Sequence, residues 1–458
     1  MTVAVDTPPQ TRPTRVRYRV LGWFCALSTI TYIDRVCIKQ VQGDMQTDLG
    51  LSSGQFSWAF AAFSLSYALF EMPTGWLGDR FGPKRVLLRI VLCWLLFTCL
   101  TGLVVGTGLF AFLMLLSVRF LFGAGEAGAY PNIARGTRNW FPFAERGRAQ
   151  GLVWTFGRWG GAIAPLLIIA LTAPFNELGL QGWRFGFVLL GVLGLVWVWG
   201  FAVYFRDQPR QHPDVNEPEL AWIEKDGNAA LKPAPLSWRT MLSSRTLWIL
   251  SVMYFCSNAG WSIFITYDSK YLETNLHLSG WQLHLASGTP LFLGGLGCLL
   301  GGMLTDRQVR FWGRRWGRTL QGLIAYGLAM ILFFLVFGLT TSAPLLAFCC
   351  LAFASFVKDF AMPASWATTI DIGHRYSGTV AGFMNMIGNL GMVMAAPIGE
   401  AIARGAAVDG EMNWTAAIPF YAAMFGVSCV CWLFINPRRV IVYAPDDERR
   451  LREAGMLS

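Results

Sequence analysis

Charge stands where it is costly at two points in the first third of this 458-residue chain: Tyr32-Ile33-Asp34-Arg35, and Arg119 followed by Glu126. Each lies inside a long apolar run. A charge at the centre of a membrane-crossing helix is disfavoured by roughly 3 kcal/mol on insertion scales, so such residues have a partner or a task. Ser28, Tyr32, Arg35 and Lys39 are spaced by four, three and four, which sets them on one helix face with Asp34 on another. The plainer reading has Asp34 and Arg35 snorkelling from a helix end. Arg119 and Glu126 are seven apart and also share a face. Such a pair can simply neutralise itself. In a transporter, a carboxylate that alternates between an arginine and a proton makes a coupling site.

Other polar residues recur at helical spacing. Ser64, Tyr67, Glu71 and Gly75 form one stripe; Thr155 and Arg158 a second; Tyr254, Asn258 and Ser262 a third. Lys358-Asp359 sits deep in an apolar run ahead of Ser365-Trp366 and Asp371, with Lys358, Ser365 and Thr369 on one face. Gly378, Gly382, Asn385 and Asn389 form the last stripe. Small and polar residues pack membrane helices together, so each stripe reads equally as interhelical contact or as cavity lining. Arg158 and Lys358 are harder to explain by packing, because a mid-helix cation needs an anionic partner.

No phosphate-binding loop, nucleophile elbow or zinc motif is present, so the sequence offers no sign of ATP drive and no enzyme chemistry. The four histidines (212, 277, 284 and 374) lie in loops or at helix ends, which leaves a proton relay to carboxylates. The ten cysteines fall in apolar runs without metal-type spacing and read as small buried hydrophobes. No cofactor is expected beyond protons as the coupling ion.

The elements that position these residues are membrane helices. The chain is 54% hydrophobic and 14% charged, too little charge for a soluble surface. Twelve apolar runs, roughly 18–38, 56–78, 86–106, 109–134, 148–172, 184–205, 246–272, 283–305, 319–339, 343–371, 377–402 and 416–436, are each long enough to cross a bilayer. Lipid-embedded backbone must satisfy its own hydrogen bonds, so they read as helices. If both termini are cytoplasmic, 29 of the 37 Lys and Arg fall on the cytoplasmic side. That asymmetry accounts for the net charge of +10 without a nucleic-acid partner. The first run has no cleavage site and is read as a retained helix.

Organisation follows: a polar tail 1–17, expected to be disordered; a six-helix bundle 18–205; a cytoplasmic linker 206–245 with a short surface helix at Glu217 to Glu224; a second bundle 246–437; and a tail 438–458. Gly75-Trp-Leu-Gly-Asp79-Arg80, closed by Lys84-Arg85, returns 227 residues later as Gly302-Met-Leu-Thr-Asp306-Arg307, closed by Arg314-Arg315. A charged turn at the same place in two hydrophobic series marks two related halves.

That repeat resembles the loops between the second and third and the eighth and ninth helices of the major facilitator superfamily. Tyr32 to Arg35, Arg119 with Gly123-Ala-Gly-Glu126, Trp140 to Ala149, and Gly382-Phe-Met-Asn385-Met-Ile-Gly-Asn389 resemble its anion:cation symporter family, which includes bacterial galactonate and hexuronate transporters, sialin and vesicular glutamate transporters. The resemblance implies an all-α membrane protein of twelve transmembrane helices in two pseudo-symmetric bundles. It implies that Arg35, with Tyr32 and Tyr67, binds a substrate carboxylate. Asp34 and Glu126 would carry protons, and Arg119 would pair with Glu126. Asn385 and Ser365-Trp366 would line the cavity. Asp79, Arg80 and Arg85 would latch the cytoplasmic face, with Asp306 and Arg307 their counterparts by the repeat. Glu71, Arg158 and Lys358-Asp359 depart from the pattern; an extra acidic group on the substrate, or a different ion count, would account for them.

The expectation is a multi-pass inner-membrane transporter, monomeric and without an ATPase subunit. It would couple proton entry to uptake of a small organic anion, a sugar acid such as a hexuronate or aldonate, with Asn258, Arg158 and Lys358 helping to hold it. The alternatives are an electroneutral exchanger of organic anions or organic phosphates, and a non-transporting nutrient sensor on the same fold.

Overall fold

The computed structural model describes residues 12–225, 236–266, 272–273, 276, 278–407, 412–441 and 449. The tail before residue 12, the linker segment 226–235, His277 and nearly all of the tail beyond 441 lie outside the described residues. No strand occurs among those described.

The N-terminal half comprises α1 (Val16–Gln40), α2 (Gln42–Leu49), α3 (Ser53–Phe81), α4 (Pro83–Gly102), α5 (Gly108–Glu126), α6 (Ala129–Trp140), α7 (Phe143–Glu177) and α8 (Gly182–Tyr204). Two short linker helices follow, α9 (Glu217–Glu224) and α10 (Trp238–Leu242). The second half comprises α11 (Arg245–Thr266), α12 (Gly280–Leu339), α13 (Pro344–Phe360), α14 (Met362–Gly373), α15 (Ser377–Gly405) and α16 (Ile418–Phe434). Among the described residues, nine stretches are long and apolar enough to cross a membrane. Two of them, Ala286–Leu339 and Pro344–Gly405, each hold two crossings. The remaining crossing is α3, in which Ser64, Ser66, Glu71 and Thr74 dilute the apolar content. The result is two six-helix bundles. Large apolar side chains such as Leu193, Val196 and Trp199 face outward, which suits lipid rather than water.

Local signals set the ends. Ser52 and Gln55 form a capping box at the start of α3. Pro83 opens α4, and Asp207 accepts from the Lys84 N–H at 2.7 Å, capping that helix from the linker. The fourth crossing of each half is broken where the sequence predicts one continuous run. α5 ends at Glu126 and restarts after Gly128 at φ 87°, and α13 ends at Phe360 before α14 starts at Met362. The two breaks therefore present Glu126 and Asp359 at equivalent helix ends.

The halves meet along α3 against α15 and α7 against α12. Glycines make the contact close. A Cβ on Gly378 would lie 2.7 Å from the Gly75 carbonyl oxygen, and one on Gly75 would strike the Gly378 carbonyl. In the other seam, a Cβ on Gly151 would lie 2.6 Å from the Cys298 carbonyl oxygen and 2.9 Å from the Gly302 Cα.

The start of the chain is better anchored than its composition suggests. Glu219 on α9 accepts from the Thr14 hydroxyl at 2.5 Å, the Val16 N–H at 2.9 Å and the Arg17 guanidinium at 3.0 Å. Arg17 also binds Glu145 at 2.9 Å. Residues 14–17 are thus fixed to the linker, which corrects the expectation of a disordered tail reaching residue 17; polar composition alone carries no information about such a tertiary anchor.

Candidate functional site

A cavity of about 1130 Å³ lies between the halves. Tyr32, Arg35, Tyr67, Arg158, Asn258 and Asn385, all expected from sequence, line it. Its rim carries Lys39, Gln40, Glu273 and Ser287, at the ends of crossings remote from the linker. It therefore opens on the face opposite the linker. Tyr130, Trp154, Tyr254 and Met362 also line it. Tyr130 and Trp154 stack with centroids 4.3 Å apart, and Trp366 lies behind them, donating its Nε1–H to the Tyr254 hydroxyl at 3.1 Å. Ser365 and Trp366 are fully buried one layer outside the lining.

Arg35 binds Glu126 through Nε at 2.8 Å and lies with its Cζ 4.1 Å from the Tyr67 ring centroid. Arg35 Nη2 and Glu126 Oε2 are buried without a hydrogen-bond partner, so each retains capacity for a ligand or a proton. Arg119, expected beside Glu126, has no carboxylate within ion-pair distance among the described residues. It packs on the rings of Phe63 and Phe122 at 4.7 and 4.8 Å, within electrostatic reach of Asp34 and Glu126. The break after Glu126 turns that carboxylate toward α1, whereas Arg119 stays two turns below. Asp34 faces α4, where the Thr98 hydroxyl reaches it at 3.3 Å. Asp34 is buried and Arg35 enters the cavity wall, so neither snorkels to a helix end.

A second charged cluster crosses between the halves. Arg158 on α7 binds Asp359 on α13 through Nε at 2.6 Å and Nη2 at 3.1 Å, and donates from Nη1 to the Tyr32 hydroxyl at 2.6 Å. Lys358 binds the same carboxylate at 2.9 Å. Trp261 takes both cations, Arg158 Cζ at 4.0 Å and Lys358 Nζ at 4.5 Å from its ring centroid. Lys358 is fully buried and stands outside the cavity lining.

The linker face is shut. Asp79 accepts from the N–H groups of Gly378 and Thr379, at 3.1 and 2.6 Å, and from the Thr379 hydroxyl at 2.7 Å. Asp306 does the same for the Gly147 and Arg148 N–H groups at 2.9 and 2.8 Å. Asp79 thus meets the N-terminal turn of α15 in the other half, where free N–H groups and the helix dipole favour an anion, whereas Asp306 meets α7 in its second turn. Asp371 takes Arg146 from the first half and Arg318 from the second, both at 2.8 Å. Arg80, Arg85 and Arg307 are exposed on this face.

Trp154 and Trp261 were not singled out from sequence. Trp154 precedes Arg158 by four residues and Trp261 follows Asn258 by three, so helical spacing from a named polar residue was the available signal. Arg135, which binds Asp79 at 3.3 Å, and Arg318, which binds Asp371, stand among the many basic residues of this face, and their spacing does not set them apart.

The profile of the Major Facilitator Superfamily matches residues 24–396. The chain is 34% identical over 443 residues to the probable sulfoacetate transporter SauU of Cupriavidus necator, covering 95% of this chain and 97% of that one. It is 28% identical to the probable galactarate/D-glucarate transporter GudP of Bacillus subtilis, covering 96% of each. Among solved structures, the fucose transporter FucP in its outward conformation is similar with a TM-score of 0.68 at 14% identity, over 92% of this chain and all of that one. A double-Trp mutant of XylE gives 0.73 at 13% identity, over 92% and 96%.

Proposed function

The chain belongs to the Major Facilitator Superfamily, and on that premise we propose that it imports a small organic anion of the sugar-acid class together with protons, by alternating access across the inner membrane. The observation that carries this reading is the Arg35–Glu126 pair at 2.8 Å in the cavity wall. While Glu126 is ionised, Arg35 is neutralised and a substrate anion has to compete for it. Protonating Glu126 releases Arg35 and makes an anion the best available partner. With a substrate acidic group on Arg35 and a proton on Glu126, this end of the cavity is neutral, which lowers the penalty for excluding water on closure. After release to the other side, Arg35 returns to Glu126 and expels the proton. Asp34, near Arg119 and Thr98, is the second proton carrier in this cycle.

The basic linker face is the cytoplasmic one, by the positive-inside asymmetry. The cavity then faces outward, ready to load. The relative named for galactarate/D-glucarate supports the sugar-acid class, and the one named for sulfoacetate supports a small organic anion more broadly.

The test is uptake into proteoliposomes of sugar acids, sulfonated acids and organic phosphates, with and without an inward proton gradient. Accumulation that needs the gradient, and is lost in Arg35→Ala, supports the proposal. Gradient-independent exchange of a phosphate ester would replace it with the antiport reading.

A further inference from the structure

We infer that the cavity is built for a small organic dianion, with one acidic group on Arg35 and the other on Arg158. The inference rests on the transport reading above and names the substrate class more narrowly.

The two guanidinium groups flank one side chain. The Tyr32 ring centroid lies 5.9 Å from Arg35 Cζ and 5.5 Å from Arg158 Cζ. Both arginines line the cavity, so a short molecule can touch both without leaving it. Arg158 is 1% exposed and uses three of its five N–H groups, two on Asp359 and one on Tyr32. The remaining N–H capacity is available to a ligand.

Charge counting separates one acidic group from two. Arg158 and Lys358 share the single carboxylate of Asp359, and all three are buried. With Lys358 protonated, as its ion pair with Asp359 requires, that cluster carries one positive charge more than it neutralises. The partial negative face of Trp261, which both cations approach, softens this surplus without cancelling it. At the other end, Arg35 is balanced by Glu126 until Glu126 takes a proton. The inner wall of the loaded cavity then holds two uncompensated positive ends, one on either side of Tyr32, while Arg119 stands outside the lining. A monoanion leaves one of them unpaired when water is excluded, which is strongly unfavourable at low dielectric. A dianion neutralises both, and each guanidinium can hold a planar or tetrahedral oxyanion through paired N–H groups. Lys358 acts as a positioning residue. By drawing on Asp359, it weakens that carboxylate's hold on Arg158 and keeps the surplus charge in place.

The test is binding to the purified full-length protein, read as the shift in thermal midpoint at pH 6. The probes are matched pairs that differ by one acidic group: glucarate with gluconate, malonate with acetate, and sulfoacetate with methanesulfonate. The dianion of at least one pair should bind about tenfold or more tightly than its partner. Arg158→Gln should weaken that dianion at least tenfold more than the monoanion. Lys358→Met provides the same readout if Arg158→Gln fails to fold, because it removes the surplus charge behind the cavity wall; it too should narrow the preference. Monoanions binding as tightly as their partners, no dianion shifting the midpoint, or both variants lowering the two classes equally would overturn the inference. Uptake that ignores the proton gradient would sink the coupling reading and leave this one standing, because the readout here is binding.

Discussion

Asp79 caps the helix that starts at Ser377 from 300 residues away, accepting from the Thr379 N–H at 2.6 Å and its hydroxyl at 2.7 Å. Asp306 reaches the helix that starts at Phe143 in its second turn, accepting from the Gly147 and Arg148 N–H groups at 2.9 and 2.8 Å. Both contacts join one half of the molecule to the other, so they exist only while the linker face is shut.

Removing one cap should loosen that face. Asp79→Asn keeps the shape but loses the charge, a change worth about 1 kcal/mol for a helix cap, or roughly fivefold in the opened population. Ser377 is fully buried here, so in a protein lacking its ten native cysteines the thiol of a Ser377→Cys substitution reports opening. Its alkylation should quicken severalfold when Asp79→Asn is added. An unchanged rate would mean that the Asp306 side holds the face alone.

Glu126→Gln imitates the protonated acid. Arg35 should then be free at all pH values. The variant should bind substrate at pH 7.5 as tightly as the native protein does in acid, and its affinity should stop rising as pH falls. Counterflow should persist while accumulation against a gradient is lost. Isothermal titration over pH 5.5–8 and proteoliposome uptake measure the two halves of this prediction; a full native pH profile in the variant would take Glu126 out of coupling.

Glu71 is fully buried in α3, with Tyr67 and Asn385 its nearest polar neighbours. An ionised carboxylate buried without close partners is several kcal/mol unfavourable, so a neutral isostere tests whether the negative charge is needed here. Glu71→Gln, which preserves shape without the charge, should keep uptake within about twofold of the native rate. A changed number of protons per substrate in that variant would make Glu71 a third carrier.

Glu219, in the linker outside the membrane, gives a pH dependence of stability. Burial pushes its carboxyl up, but the hydroxyl of Thr14, the N–H groups of Val16 and Arg17 and the Arg17 guanidinium outweigh that and hold it below the usual range. A depressed folded value means that the stabilisation is complete above the ordinary carboxylate range and fades as pH drops through the folded value. Thermal midpoints of the detergent-solubilised protein should therefore fall between pH 5 and 3 by less in Glu219→Gln than in the native chain. At pH 7 the variant should be about 2 kcal/mol less stable, the usual worth of hydrogen bonds to a charged group. Identical acid profiles would mean that the anchor contributes nothing.

Much of this architecture is legible in the residue order. The repeat at Asp79 and Asp306 marks two halves, and helical spacing groups Tyr32 with Arg35 and separates Asp34 from them. What spacing within one helix cannot show is which helix arrives next to it. Glu126 and Arg119 share a face, yet the break after Glu126 hands that carboxylate to Arg35 on α1. Lys358 reads as a cavity cation, yet Trp261 from α11 stands in front of it. The anchor on Glu219 joins residues more than 200 apart through groups as ordinary as backbone N–H.

The glycine seam has a mechanical meaning. Backbone meets backbone where Gly75 faces Gly378, so there is no side chain there to interlock or to leave a hole when the halves part. A single methyl group at Gly75 would act as a doorstop, keeping the linker end ajar whatever occupies the cavity. Shape at one point, rather than the strength of any ion pair, decides whether this end can shut at all.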